Sequence, residues 1–374
     1  MLDIIIISCG IIYSFIVIFI TLGMFRLPKS FPVKDEDLPT VSIVVSARNE
    51  EHDLPKCIAS LEQLNFPKEK LQVILVDDRS TDNTYSIIKK AAQQNEHFIA
   101  LSTENAPENS LRAKARGISW GIEKSEQEWV FITDADAEVH PNWLRHMLSQ
   151  VDEKTGIIGG MLNVKPVSFL AIIEQMSWAY ALPVAFGLAG WGRSFVCVGP
   201  NMGIRRSVYT KYGGLQNADF NIAEDLALFG IIESAGFKSV SYLTQSTSIQ
   251  LNPVSSYKHL FSQQRRWLRG GFEGPMSLRL GLVLGFGFHF SVSLLFIIGL
   301  FFTLEIALLA LALKFLADLF MLISQKTLLR KNKILRYFPV QFLYILLVMI
   351  WLPASVLINP RISWEGDGYE INYK

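Results

Sequence analysis

The sequence predicts an α/β domain with a mostly parallel sheet, joined to one N-terminal and three C-terminal membrane helices. Half of the 374 residues are apolar, and the excess over an ordinary soluble domain is concentrated near the two ends of the chain. Between these ends, residues 38–270 alternate short β-branched runs with helical patterns. That alternation is typical of a parallel sheet covered by helices on both faces.

Four segments are long and apolar enough to cross a bilayer, which requires roughly 20 mostly apolar residues. They are residues 2–25, 280–302, 304–323 and 338–357. No basic residues precede the first segment and no small-residue cleavage site follows it, so residues 1–26 are predicted to be a retained anchor and not a secretory signal. Residues 280–358 are predicted to hold the other three helices.

Basic residues set the predicted orientation. Arg26, Lys29 and Lys34 follow the first segment, and the turn at 325–336 is basic with no acidic residue. By the positive-inside rule both regions lie in the cytoplasm, with the domain at 38–270. The N-terminus and the short tail at 359–374 are then outside, as in a multi-pass protein of a bacterial plasma membrane.

The domain is predicted to begin with a strand and to alternate from there. The elements, in order, are a strand at 41–47, a helix at 53–64, a strand at 71–78, a helix at 83–94, a strand at 97–103, a helix at 111–124 and a strand at 128–136. A later apolar segment, about 167–190, is interrupted by Glu174 and Pro183. We interpret it as an interfacial helix lying on the bilayer, with a buried core helix as the alternative.

Composition and motifs exclude several classes of ligand. There is no glycine-rich dinucleotide fingerprint and no Walker sequence. Cys9, Cys57 and Cys197 are too few and too scattered for a disulfide framework or a zinc site. The basic residues flank membrane segments and form no stripe among aromatic residues, so nucleic acid is not an expected partner.

Acidic side chains follow the strands, where ligands of parallel sheets bind. Asp134 and Asp136 close the fourth strand, and their spacing of two places them on one side of an extended chain. Such oxygen ligands suit Mg²⁺ or Mn²⁺. Aspartate is also common wherever a strand stops, so ordinary turn chemistry is the alternative.

Two further acidic pairs each have a local explanation beside a functional one. Asp77 and Asp78 end the second strand and could accept hydrogen bonds from a base or ribose, whereas Asp82 is explained by capping the next helix. Glu224 and Asp225 open a helix, where carboxylates compensate the dipole. One of them could equally be a general base.

The order of these blocks resembles the family 2 glycosyltransferases. "ARNEE" follows strand one, "DDRSTDNT" strand two and "DAD" strand four, "ED" opens a later helix, and "QQRRW" comes last, over residues 38–270. The resemblance implies a Rossmann-like GT-A fold, a nucleotide-diphosphate sugar donor, a divalent cation and inversion at the anomeric carbon.

The resemblance also implies roles for individual residues. Asp225 matches the catalytic base and Asp136 the metal ligand, with Asp134 beside the ribose or sugar. The positions that match contacts to the nucleotide are Ala47, Glu50, Asp77 or Asp78, and Lys114. The positions that match contacts to the donor diphosphate and acceptor are Gln263, Arg266 and Trp267.

Two positions depart from the family pattern. Members often carry glycine where this chain has Arg79, and a Gly-Lys pair where this chain has Ala113 and Lys114. The membrane layout is similar to that of ceramide glucosyltransferases and hopanoid-type lipid glycosyltransferases. The segment "WEGDGY" at 364–369 partly matches the C-terminal motif of those enzymes. A lipid or amphiphilic acceptor is therefore expected, with a processive polysaccharide synthase and a non-catalytic membrane scaffold as alternatives.

Charged residues also occur within the predicted membrane helices. Glu305, Lys314 and Asp318 could pair across a bundle or mark a polar path. Structural pairing is favoured, because Lys314 and Asp318 are four residues apart on one helix face.

Overall fold

The computed structural model describes residues 2–107, 111, 113–193, 198–217, 224–273, 276–330, 333–358, 362–364 and 367–369. Its helices are α1 (Leu2–Met24), α2 (Leu54–Glu62), α3 (Thr84–Gln94), α4 (Ala113–Lys124), α5 (Trp143–Met147), α6 (Phe169–Gly190), α7 (Arg206–Lys211), α8 (Glu224–Ser234), α9 (Tyr257–Glu273), α10 (Met276–Phe302), α11 (Leu304–Leu329) and α12 (Phe338–Ile358). Its strands are β1 (Val41–Ala47), β2 (Leu71–Asp77), β3 (Phe98–Ser102), β4 (Trp129–Asp134), β5 (Ala137–Glu138), β6 (Thr155–Gly159), β7 (Leu162–Val164), β8 (Met202–Arg205), β9 (Lys238–Ser241), β10 (Ile249–Leu251), β11 (Ile362–Trp364) and β12 (Asp367–Tyr369).

The chain forms two compact units. The sheet unit comprises Leu27–Val164 and Ser194–Asn252, and the helical unit comprises Met1–Arg26, Lys165–Arg193 and Pro253–Lys374. Helices α6 and α9 therefore belong to the same unit as the long apolar helices.

The sheet unit is built on a mixed, mostly parallel sheet with the strand order β3-β2-β1-β4-β8-β6-β9. Strands β1 to β4 pair in parallel, so their carboxyl ends meet at one edge. In register, Ala47 lies opposite Asp77, and Ser46 lies opposite Asp134. The predicted sheet is confirmed, and it brings the acidic residues that follow β2 and β4 to a common edge.

The sequence patterns do not predict β8, which lies inside the sheet. It pairs antiparallel with both β4 and β6. A Cβ atom on Gly203 would lie 2.7 Å from Cε1 of Phe131, so glycine is required where β8 packs against this ring. Because β8 is short and follows a Gly-Pro turn, it leaves no clear period-two pattern.

Two glycines let α4 pack closely against the sheet. A Cβ atom would lie 2.1 Å from Oγ of Ser46 at Gly117, and 2.4 Å from Cγ1 of Val44 at Gly121. Because α4 leads into β4, its first turn, which carries Lys114, lies toward the carboxyl edge of the sheet.

Among the residues of the helical unit that the structure describes, five helices are long and apolar enough to cross a membrane by length and composition: Leu2–Met24, Phe169–Gly190, Gly285–Phe302, Leu304–Leu329 and Ile334–Ile358. Four of them coincide with the predicted spans, and the other is α6. Near its end α1 packs closely on α6, since a Cβ atom on Gly23 would lie 2.1 Å from the carbonyl oxygen of Gly187.

The favoured pairing of Lys314 with Asp318 is confirmed. The two buried side chains form an ion pair within α11, and the hydroxyl of Tyr13 donates a 2.6 Å hydrogen bond to Oδ1 of Asp318. Glu305 is exposed and belongs to no part of this buried cluster. Of the tail, strands β11 and β12 pair with each other, and residues 365 and 366 of the "WEGDGY" segment lie outside the described residues.

Candidate active site

The two aspartates that end β2 have different environments. Asp77 is buried, and its Oδ2 accepts a long 3.4 Å hydrogen bond from the backbone N–H of Ser80. Its Oδ1 is also buried, and it has no hydrogen-bond partner within the described part of the chain. A buried carboxylate oxygen without a donor is costly. The Asp77 side chain therefore has an acceptor available for a ligand.

The carboxylate of Asp78 already has hydrogen-bond partners within the protein. Its Oδ1 accepts hydrogen bonds from Nε of Arg116 at 3.1 Å, from Nη2 of Arg116 at 2.5 Å and from the hydroxyl of Thr103 at 2.7 Å. Sequence reasoning offered Asp77 or Asp78 as the nucleotide contact and missed Arg116. The geometry favours Asp77 for a ligand and gives Asp78 a structural role.

The loop after β1 is joined to the loop after β2 by side-chain hydrogen bonds. The backbone N–H of Glu50 donates to Oγ1 of Thr84 at 2.7 Å, and that of Glu51 donates to Oδ2 of Asp82 at 3.2 Å. In the other direction, the backbone N–H of Thr81 donates to Oδ1 of Asn49 at 2.8 Å. The two loops therefore form one support at the carboxyl edge.

Asp82 links the two loops and also caps a helix. While its Oδ2 accepts from Glu51, its Oδ1 accepts a 3.0 Å hydrogen bond from the backbone N–H of Thr84, the first residue of α3. The predicted capping role is thus confirmed, although Asn83 occupies the N-cap position. Partial burial raises the pKa of Asp82, but the hydrogen bonds from Thr84 and Glu51 together outweigh this effect and hold the pKa below its usual range.

Ala47 and Arg79 complete this part of the edge. The carbonyl oxygen of Ala47 accepts a 2.8 Å hydrogen bond from the backbone N–H of Asp78. Arg79 has φ of +58° and an exposed side chain. Because L-residues rarely adopt this left-handed conformation, the backbone itself explains why glycine is the usual residue of the family here.

Asp134 and Lys114 form an ion pair at the end of β4. Nζ of Lys114 also lies 3.4 Å from Oε1 of Glu224, so one ammonium group is shared between two carboxylates from distant parts of the chain. The ammonium group of Lys114 therefore links the end of β4 to the start of α8. Neither the contact to Glu224 nor the role of Glu224 was predicted from the sequence.

Asp136 lies in the turn that follows β4, which ends at Asp134, so the extended geometry expected for the pair is replaced by a turn. Burial raises the pKa of Asp136 well above its usual value, and the carboxylates of Asp134 and Glu50 raise it further. Lys114 acts in the opposite direction. The ionised form of Asp136 is thus short of compensating positive charge.

The residues around Asp136 fit a divalent cation that shares its coordination with a substrate. Among the described residues, no group of three or more histidine, cysteine or acidic side chains could hold a metal ion by itself. Mg²⁺ in phosphate-transferring sites is usually bound by one or two carboxylates together with substrate phosphates. Asp136 supplies one such carboxylate, in surroundings where burial and neighbouring carboxylates outweigh the positive charge of Lys114.

Asp225 is oriented by backbone groups. The N–H of Gly199 donates to Oδ2 at 2.9 Å, and the N–H of Leu226 donates to Oδ1 at 2.9 Å. Residues 218–223, just before α8, lie outside the described residues. The side chain of Glu224 interacts with Lys114, so the two neighbouring carboxylates open the same helix but have different partners.

Cys57 is a buried residue close to the acidic residues at the end of β4. Its thiol is buried and donates a 3.5 Å hydrogen bond to the carbonyl oxygen of Asp134. Burial raises the pKa of this thiol, and the nearby carboxylates of Asp136, Asp134 and Glu138 add to the effect. The thiol is therefore protonated and inert at neutral pH.

The last group of predicted residues lies on α9, in the helical unit. The rings of Trp267 and Trp178 are in contact, with centroids 4.1 Å apart. Oε1 of Gln263 is buried and lacks a hydrogen-bond partner in the described regions. Burial and the positive charge of Arg266 lower the pKa of His259, which lies two turns earlier on the helix. Nε of Arg269 lies 3.3 Å from Oε1 of Glu273, one turn later on the helix.

Comparison with protein families identifies the sheet unit and the helices that follow it. The model of "Glycosyl transferase family 2" matches residues 42–213, and that of "Glycosyl transferase family group 2" matches residues 129–355, more than half of the chain.

Among curated relatives, "Probable glycosyltransferase YdaM" of Bacillus subtilis is 25% identical over 63% of this chain and 56% of its own length. "Beta-monoglucosyldiacylglycerol synthase" of Nostoc sp. is 24% identical over 67% of this chain and 53% of its own length. "Poly-beta-1,6-N-acetyl-D-glucosamine synthase" of Staphylococcus aureus is 23% identical over 67% of this chain and 58% of its own length. The chain thus spans little more than half the length of these relatives.

A solved structure shares the fold. It is the mannosyltransferase PcManGT from Pyrobaculum calidifontis, in complex with GDP-Man and Mn²⁺, with a TM-score of 0.58 and 17% identity over 96% of this chain and 99% of the other. The predicted GT-A fold is confirmed. With the fold, the family matches and the glycosyltransferase relatives in agreement, the chain belongs to the family 2 glycosyltransferases.

Proposed function

We propose that this glycosyltransferase moves one sugar from a UDP-sugar to a hydroxyl group of a membrane lipid at the cytoplasmic face. The observation that carries the proposal is the carboxyl edge of the sheet unit. There Asp77 has an acceptor oxygen for a ligand, Asp136 is short of positive charge, and Asp225 is held by two backbone N–H groups. The apolar helices of the other unit and the diacylglycerol named for the Nostoc relative support a lipid acceptor.

The environment of Asp77 favours uracil as the base of the donor. The carboxylate has one oxygen without a partner among the described residues, while the other accepts from Ser80. Uracil presents one ring N–H, whereas guanine presents a ring N–H and an adjacent amino group that suit both oxygens of a carboxylate. Asp77 would therefore accept the single N–H of uracil, with Ala47 and Glu50 lining the same edge.

Asp136 is the proposed ligand for Mg²⁺ or Mn²⁺, in line with the Mn²⁺ named for the Pyrobaculum structure. When bound, the ion supplies positive charge to the leaving diphosphate. Lys114 would hold Asp134 beside the ribose or sugar through their ion pair. On the motif series alone, Gln263, Arg266 and Trp267 remain proposed contacts of the diphosphate and the acceptor.

Asp225 is the proposed base. It would accept the proton of the acceptor hydroxyl while the hydroxyl oxygen attacks C1 of the sugar opposite the diphosphate. The bond from C1 to the diphosphate breaks as the new C1–O bond forms, so configuration inverts. A single displacement requires no enzyme nucleophile, and hydrogen bonds from Gly199 and Leu226 keep the carboxylate in place.

The chain path supports the proposed orientation of α6. Both strands that flank it, β7 before and β8 after, belong to the sheet unit. A folded unit lies on one side of a bilayer, so a single helix between two of its strands cannot complete a crossing. We therefore retain the interfacial α6. From the basic residues that flank the spans, we also propose that the N-terminus of the chain is outside and the sheet unit is in the cytoplasm.

The second candidate function is processive synthesis of a polysaccharide, which the Staphylococcus aureus relative favours by its name. The non-catalytic scaffold is set aside, because the relatives of this chain are glycosyltransferases or sugar polymer and glycolipid synthases.

The two candidates differ in their product. Purified protein in nanodiscs would receive radiolabelled UDP-sugars, Mn²⁺ and total lipid extract, followed by partition between organic solvent and water. We expect a labelled lipid with one added sugar in the organic phase. Long water-soluble polymer would support the second candidate, and no product with any UDP-sugar would contradict the proposed donor class.

A further inference from the structure

Among the described residues of the helical unit, α6, α9 and α12 each carry buried polar side-chain atoms without hydrogen-bond partners. These atoms include Nε1 of Trp178 on α6, Oε1 of Gln263 and of Gln264 on α9, and both side-chain amide atoms of Gln341 on α12. None of these atoms has a hydrogen-bond partner among the residues that the structure describes. Buried polar groups in folded proteins are nearly always satisfied, so a cluster of this kind requires an explanation.

Contacts between the three helices place these atoms in one region. The rings of Trp178 and Trp267 touch, and Trp267 is one turn from Gln263 and Gln264 on α9. Nε2 of Gln264 donates a hydrogen bond to the hydroxyl of Tyr344 on α12. The polar atoms of α9 therefore face both α6 and α12.

Gln341 lies between two of these contacts. Phe338, three residues before it, packs with Met176 and Ala179 of α6. Tyr344, three residues after it, contacts Gln264 of α9. Residues three apart share one face of a helix, so Gln341 faces the region between α6 and α9. Its side chain is 2% exposed.

The polar atoms indicate the chemistry of a ligand. Three of them are amide oxygens that only accept, and Glu174, one turn before Trp178, adds a buried carboxyl group that accepts from the N–H of Val254 at 2.8 Å. A phosphodiester has no proton to give to these oxygens, and a phosphate monoester would bring negative charge beside the carboxyl group of Glu174. A hydroxyl both donates and accepts, so it can satisfy the amide oxygens and also the N–H groups of Trp178 and Gln341.

We propose that Trp178, Gln264, Gln341 and Tyr344 form the headgroup site for a neutral, hydroxyl-bearing lipid, such as a diacylglycerol or a glycolipid. This inference rests on the proposed lipid acceptor and names its chemical class. It extends the predicted contacts of α9 to α6 and α12, for which the sequence motifs of the family give no residue. A glycerol or sugar hydroxyl held there would have its acyl chains among the apolar helices of the same unit.

The test is binding of a photoactivatable diacylglycerol to the full-length protein in phosphatidylcholine nanodiscs, without any sugar donor. Unlabelled dioleoylglycerol or a neutral glycolipid with the same chains should compete with the probe, and dioleoylphosphatidate should not. We expect Gln341→Leu to reduce specific labelling about three- to tenfold, the effect of losing one or two neutral hydrogen bonds. Trp178→Phe, which keeps an aromatic ring against Trp267, should give a smaller loss.

Thermal stability separates a ligand site from a structural network. If Gln341 serves a ligand, Gln341→Leu should melt at the same or a higher temperature, since an apolar group replaces unsatisfied atoms. Ser324→Ala is the matched control, because it removes a buried polar group whose partner, the carbonyl oxygen of Phe320, lies in its own helix. Its labelling should match that of the wild type.

Three outcomes would overturn the inference: unchanged labelling of Gln341→Leu, a labelling loss matched by a fall in melting temperature, or competition by phosphatidate equal to that by dioleoylglycerol. The last outcome would assign the region to the arginines of α9 and an anionic headgroup. Because no donor is present, labelling that depends on Gln341 would stand even if no UDP-sugar is transferred. Conversely, lipid glycosylation without this dependence would leave the proposed function intact and remove the headgroup site.

Discussion

The backbone N–H of Gly199 donates a 2.9 Å hydrogen bond to Oδ2 of Asp225 and thereby ties the start of α8 to the turn before β8. The second carboxylate oxygen accepts from Leu226. A carboxylate held from two sides has a defined orientation. This pre-organisation is what a general base requires in order to meet a hydroxyl proton.

Asp225→Asn should therefore lower sugar transfer by about 10² to 10⁴-fold, the usual contribution of a positioned base. An asparagine of the same shape keeps an acceptor oxygen for Gly199 and loses the one for Leu226, so the melting temperature should fall only slightly and binding of UDP should change little. Transfer can be measured as the mass shift of host lipids on expressing wild type or variant. Glu233→Gln, an exposed change on the same helix, is the control and should retain full transfer. A fully active Asp225→Asn would exclude this residue as the base.

Lys114 shares its ammonium group between Asp134 and Glu224. Lys114→Met leaves the two carboxylates without this cation and loses charge-assisted hydrogen bonds, each of which contributes about 1.5 to 3 kcal/mol. We expect the KM for the donor to rise at least about tenfold. The matched control is Lys124→Met on the same helix, where the ammonium lies 4.5 Å from the Trp120 ring centroid near the surface. Equal donor KM values for the two variants would contradict a donor-site role of Lys114.

The sequence predicts the first half of the sheet unit well because β1, β2 and β4 have six or seven residues each, are rich in β-branched residues and are followed by turns. It misses β8 because a strand as short as Met202–Arg205 produces no periodicity, and its place between β4 and β6 depends on tertiary pairing. Likewise, the roles of Asp77 and Asp78 cannot be separated by reading "DD". Only the approach of Arg116, from a helix nearly 40 residues later in the chain, shows which carboxylate is already occupied.

Arg79 provides a test of backbone strain at the edge. The left-handed conformation costs an L-residue about 1 to 2 kcal/mol, while glycine loses about 0.5 to 1 kcal/mol through its greater unfolded-state freedom. Since the side chain is exposed, Arg79→Gly should leave the free energy of unfolding of the sheet unit equal or slightly higher. Arg79→Val should lower it, because β-branched residues tolerate this conformation least. Chemical denaturation of the purified protein measures both, and equal stability of the two variants would contradict the assigned backbone strain.

Asp136 should show opposite effects on stability and on function. Burial and the nearby carboxylates disfavour its charge, so Asp136→Asn should melt at or above the wild-type temperature when no ligand is added. Addition of UDP with Mn²⁺ should raise the melting temperature of the wild type and have little effect on the variant. EDTA should abolish transfer by the wild type, and Mn²⁺ or Mg²⁺ should restore it. A variant that still responds to Mn²⁺ and UDP as the wild type does would assign the metal to other residues.

The ion pair of Lys314 and Asp318 gives a prediction for the helical unit. Both side chains are buried, and the hydroxyl of Tyr13 links the pair to α1 through Oδ1 of Asp318. Removing one partner leaves the other charge buried and uncompensated, which costs about 3 to 5 kcal/mol, whereas replacing both by apolar residues is often neutral. Lys314→Met should therefore strongly lower thermal stability in detergent, and Lys314→Met with Asp318→Leu should recover much of the loss.

If the pair is only structural, the double variant should also recover sugar transfer in proportion to the folded protein. A stable double variant without transfer would instead indicate that the buried charges take part in function, as the alternative of a polar path through the membrane helices requires.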